Sequence, residues 1–172
     1  MQPQDKYRIA LLAAYALALH GFERLIPTPV PWLRFGFANI ITLVAMLLYG
    51  FRAALMVTLI RVTVGSFVIG TFLGPAFILS LSGGVLSVLS MGLVYMVAPK
   101  AFSPLGLSLI GAFFHNLGQL VVAYALFIRN IHSIMTLTPL ILFLGTVTGC
   151  INGMFCIFVV EHLKKNTEEV QY

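Results

Sequence analysis

Residues 51–98, FRAALMVTLIRVTVGSFVIGTFLGPAFILSLSGGVLSVLSMGLVYMVA, decide the fold. They contain two long apolar runs, 53–71 and 76–98, divided at Gly74-Pro75, and their only charged residues are Arg52 and Arg61. One membrane crossing takes roughly 20 consecutive apolar residues. Glycine followed by proline breaks a helix, because the proline ring removes an amide donor and clashes with the preceding turn. Each run therefore reads as one transmembrane helix.

The same pattern extends in both directions. Toward the N-terminus lie apolar segments 8–24 and 36–50, and toward the C-terminus 105–128 and 137–161, separated by proline, glycine or charged residues. Six such segments nearly exhaust 172 residues. The expectation is a single transmembrane domain over 1–172, an all-α integral membrane bundle of about six helices. Composition agrees: 60% of residues are hydrophobic and 9% charged, with a mean hydropathy of +1.02, a balance suited to a bilayer as solvent.

The net charge of +5 is a matter of topology, since the basic residues sit mainly at the ends of apolar runs; no nucleic-acid partner is expected. With the N-terminus cytoplasmic, one side holds Lys6, Arg8, Arg52, Lys100, Lys164 and Lys165, and the other Arg24, Arg34 and Arg129. Six against three favours both termini inside. Lys6 and Arg8 followed by Ala16-Leu17-Ala18 resemble a signal peptide, but the charge pattern of the later segments requires an uncut first helix. The connection 25–35 holds Pro27, Pro29 and Pro31, followed by Trp32 and Arg34. Trp32 suits an interface anchor, and the connection is a candidate lid.

Arg61 belongs to neither side, because it falls within segment 53–71. A mid-membrane arginine costs about 3 kcal/mol or more, so it should face the interior or water. The acids Asp5, Glu23, Glu161, Glu168 and Glu169 all lie near termini or helix ends, which leaves backbone carbonyls, neutral side chains or an anionic ligand as its partners. In segment 105–128, His115, Asn116 and Gln119 must also find partners, since lipid offers none. They form either interhelical bonds or a pocket wall. Asn39 and Thr42, Ser80 and Ser82, and Asn152 are candidates for the same cavity.

Two ladders of small residues mark packing surfaces: Ala10, Ala14 and Ala18, and Gly145, Gly149 and Gly153. Residues four apart share a helix face, and missing side-chain bulk allows close approach. His20 and Glu23, one turn apart, read as an ion pair or pocket rim; no third ligand accompanies them, so no metal is expected. Cys150 and Cys156 do not form a CxxC pattern and read as small packing residues.

Several chemistries lack their residues. No DDxxD-like carboxylate cluster is present to hold magnesium against a diphosphate, and there is no P-loop, G-x-S-x-G or H-E-x-x-H motif. The chain is therefore not expected to be an enzyme or to carry a cofactor, and ATP-driven transport would draw on another subunit.

The runs Leu33-Arg34-Phe35-Gly36-Phe37-Ala38-Asn39-Ile40-Ile41-Thr42-Leu43, Tyr49-Gly50-Phe51-Arg52-Ala53-Ala54-Leu55 and Leu59-Ile60-Arg61-Val62 resemble the Gx transporter family. So do Ser80-Leu81-Ser82-Gly83-Gly84 and Gly111-Ala112-Phe113-Phe114-His115-Asn116-Leu117-Gly118-Gln119, and the resemblance covers roughly 10–125. Members are often labelled heptaprenyl diphosphate synthase component I. The family in turn resembles the S components of energy-coupling factor (ECF) transporters, six-helix vitamin binders that dock on a transmembrane subunit driven by two ATPases. That resemblance implies a multi-pass protein of a prokaryotic cytoplasmic membrane that binds a small-molecule substrate, with flavins or a quinone or isoprenoid precursor as candidates. It also implies that Ala10, Ala14 and Ala18 face the coupling subunit. Asn39, Arg61, His115, Asn116 and Gln119 are the candidate substrate-binding residues. The alternative is a non-catalytic membrane accessory component of a prenyl diphosphate synthase or redox complex.

Overall fold

The computed structural model describes residues 3–23, 36–98 and 101–169. It contains helices α1 (Pro3–Glu23), α2 (Ala38–Tyr49), α3 (Phe51–Ile69), α4 (Pro75–Val97), α5 (Pro104–Ala123) and α6 (Ile131–Glu169), with a π-helical turn, Tyr124–Ile128, continuing α5. No strand occurs among the described residues. Trp32, the 25–35 connection, and Arg24, Arg34 and Lys100 of the charge count lie outside the described residues.

Local chemistry sets the breaks. Gly50, at φ +83°, separates α2 from α3 in a single residue, a conformation that a Cβ would strain. Proline stands at the start of α4 and α5, where its missing N–H costs nothing, and Ser103 Oγ caps α5 by accepting from Gly106 N at 3.2 Å. Asn130 Oδ1 accepts from His132 N at 3.0 Å and Ser133 N at 3.4 Å. That cap starts α6 at Ile131, six residues before the expected 137, which moves Pro139 from the first turn to the interior of the helix. A membrane helix tolerates such an interruption where neighbouring groups satisfy the freed backbone.

Among the described residues, four helical spans are long and apolar enough to cross a bilayer: Phe51–Ile69, Pro75–Val97, Pro104–Ile128 and Ile131–Leu163. The chain is an all-α, multi-pass membrane bundle. Helix α2 is shorter, and its 12 residues reach only about 18 Å. It packs against α1, α3 and α6 and buries Leu43, Val44 and Met46 with Ala54, Val88, Met91 and Cys156 in the main core. Around it, α3 packs on α4, α4 on α5, and α5 on α6.

Small residues set these contacts. Ala13 and Ala16 of α1 are buried against Ala45, Ala53 and Val57. The glycine ladder of α6 lies on α5: a Cβ on Gly149 would come within 2.9 Å of the Ala112 Cβ, and one on Gly153 within 2.8 Å of the Leu105 Cα. Ala10, Ala14 and Ala18 point the other way and are exposed on the outside of the bundle.

Candidate ligand-binding cavity

Arg61 sits midway along α3 and is 5% exposed. The facing glycine of α4, Gly84, gives it room, because a Cβ there would meet Thr58 at 2.9 Å and the Arg61 guanidinium at 3.8 Å. One residue earlier on α4, Gly83 admits α5: its Cβ would lie 2.8 Å from the His115 carbonyl oxygen and 2.9 Å from Gln119 Cγ. Glycine pairs of this kind bring two backbones close enough to place polar side chains deep in a bundle.

On α5, His115 and Gln119 stack one turn apart with their Nε2 atoms separated by 3.1 Å. Asn116 turns instead toward α6. Its Nδ2 donates to the Ile141 carbonyl at 3.5 Å, and it occupies the space a Cβ on Gly145 would need, 1.8 Å away. The three polar residues of α5 thus face two neighbours.

All three open on one cavity of about 420 Å³ inside the bundle, which Asn39 and Arg61 also line. The five candidate substrate-binding residues, drawn from α2, α3 and α5, therefore share one space. Ser80 and Asn152 line it as well. Thr42 and Ser82 do not: Thr42 Oγ1 pairs with Thr58 Oγ1 at 3.2 Å, and Ser82 Oγ donates back to the Leu79 carbonyl at 3.0 Å. Backbone carbonyls one turn back are the usual acceptors of helix hydroxyls, which takes Ser82 out of the site.

His20 and Glu23, at the end of α1, complete the polar side. His20 Nδ1 lies 4.0 Å from Glu23 Oε2, and Glu23 Oε1 accepts from the backbone N–H of Phe37. The sequence offers His20 and Glu23 as an ion pair or pocket rim, and both line this cavity; that the cavity is the one holding Arg61 depends on how the helices come together. Both groups are buried, Glu23 at 4% exposed.

Another part of the lining is apolar. Leu120, Ile134 and Ile141 form a buried cluster with Ala123 and Leu137 against it, and all five line the cavity, as do Phe127 and Ile128 of the π-helical turn. Turns of this type recur at functional sites. The lining thus combines two kinds of chemistry: amides, imidazoles and the opposite charges of Arg61 and Glu23, together with a continuous hydrocarbon patch from α5 and α6. Pockets of this size and makeup hold small molecules by burying apolar surface and orienting a polar group. Among the described residues, no group of three or more His, Cys, Asp or Glu gathers to hold a metal.

Fold and cavity together define a multi-pass helical membrane protein with an interior cavity. The chain belongs to the family described as heptaprenyl diphosphate synthase component I, whose family model matches residues 12–159. No curated protein matched the chain, and no solved structure did either.

Proposed function

We propose that this protein is the membrane-embedded substrate-binding subunit of a small-molecule transporter, energised by separate ATPase subunits. The observation that carries the reading is the convergence of Asn39, Arg61, His115, Asn116 and Gln119 on one cavity in the bundle interior. Polar and ionisable side chains are costly inside a membrane and mark ligand or ion pathways. The substrate is a vitamin- or cofactor-like molecule, and the protein has no catalytic role of its own. Both termini face the cytoplasm of a prokaryotic cell, and the outward Ala10, Ala14 and Ala18 face of α1 contacts the coupling subunit.

A second reading is favoured by the family's description as a component of a synthase. In it, the chain is a non-catalytic membrane accessory subunit that anchors a prenyl diphosphate synthase or redox complex. Native mass spectrometry of the purified protein separates the two. A stoichiometric small molecule, released on replacing Gln119 by Leu, supports the binding subunit. A co-purifying synthase without any small molecule supports the accessory subunit.

A further inference from the structure

Resting on the binding-subunit reading, the two kinds of lining of the cavity, its amides and its apolar cluster, narrow the ligand class. Among the described lining residues, Arg61 and Glu23 contribute opposite formal charges, and four side-chain amides, Asn39, Asn116, Gln119 and Asn152, outnumber them. An amide offers both donors and an acceptor, which suits an uncharged head carrying carbonyl, amide or hydroxyl groups. A phosphate or carboxylate would bring a net charge into a buried space whose described lining charges offset each other, and an uncompensated charge in a low-dielectric interior is strongly disfavoured.

The apolar cluster bears on the rest of the ligand. Leu120, Ala123, Ile134, Leu137 and Ile141 supply hydrocarbon contact and no charge. A ligand polar on every side would lose its hydration there without replacement, whereas an apolar chain gains by leaving water. We infer that the cavity takes an uncharged amphiphile, with a hydrogen-bonding carbonyl-bearing head against the amides of α2, α5 and α6 and an apolar chain along the wall built by α5 and the first turns of α6.

Three probes on the full chain in lipid nanodiscs test this by equilibrium binding: a naphthoquinone with a short prenyl chain, the same ring without the chain, and geranyl monophosphate. The expected result is saturable binding of the prenylated ring, about tenfold or more tighter than the phosphate. Ala123→Phe, which fills the apolar wall, is expected to weaken the prenylated ring by about tenfold while changing the chainless ring by less than about twofold, since several buried CH₂ contacts are at stake. Tighter binding of the phosphate overturns the uncharged class while leaving the binding subunit standing. Equal weakening of both rings by Ala123→Phe overturns the assignment of the two linings. Failure of all three probes overturns the proposal, and native mass spectrometry of the same sample then decides separately whether another small molecule is bound.

Discussion

Asn152 Nδ2 donates to the Gly36 carbonyl at 3.0 Å, joining α6 to the residues that open α2, 116 positions earlier in the chain. Gly36 has φ +72°, and the next residue, Phe37, donates its N–H to Glu23 at the end of α1. Residues 36 and 37 are thus held from two directions, by α6 and by α1. Gly36 and Asn39 both line the cavity, so these bonds fix one of its edges.

Replacing Asn152 with Leu keeps the branched shape and strands the Gly36 carbonyl. A buried polar group left without its partner costs about 1–3 kcal/mol, so the thermal unfolding midpoint in detergent is expected to fall. An unchanged midpoint would show that the bond carries no stability.

Gly145→Ala places a Cβ where Asn116 now sits. Overpacking of this kind costs about 1–3 kcal/mol. Adding Asn116→Ala should recover most of that loss, and a double-mutant cycle measures the coupling. Additive losses would mean that the two residues do not interact.

Arg61→Met leaves Glu23 buried in the same cavity without the arginine. A buried charge that loses an opposite charge sharing its cavity is left less compensated, whereas removing both avoids that cost. The double variant Arg61→Met, Glu23→Gln is therefore expected to be more stable than Arg61→Met alone in denaturant titrations. A double variant that is less stable would place the two charges in separate electrostatic environments.

Asn116→Leu and Gln119→Leu are expected to weaken ligand binding about tenfold or more, the loss of one to two hydrogen bonds, while the helical circular dichroism signal stays intact. Unfolding of both variants would assign these amides to helix packing.

Ala14→Leu adds bulk to the outward face of α1 and touches no buried residue, since Ala14 is exposed. Association with a transmembrane partner should be lost while the isolated chain keeps its stability. Undiminished co-purification of the partner would remove this face from the interface.

Much of the bundle is legible along the chain, because each helix announces itself locally. The apolar runs around Gly74-Pro75 are two helices in the structure, and the stagger of His115 with Gln119 follows from helical periodicity alone. Boundaries were less legible. Asn130 starts α6 six residues early and moves Pro139 from the expected first turn to the helix interior, since its side-chain cap supplies a start further upstream. The fate of single hydroxyls was also hidden: Thr42 found Thr58, and Ser82 its own helix. Glu23 was legible as a pocket-rim candidate, but that the fold carries this helix-end acid to the cavity of Arg61 was not.

The amino-acid sequence by itself determined the solvent, the helices and the polar groups that must be hidden from lipid, because hydrophobicity and helical period act over a few turns of one segment. Only the tertiary structure decided which of those groups meet. That choice rests on the rotation and close approach of whole helices, set by contacts such as Gly83 with His115 and Gly145 with Asn116. Such contacts depend on packing between residues distant in the chain, and no local pattern encodes them.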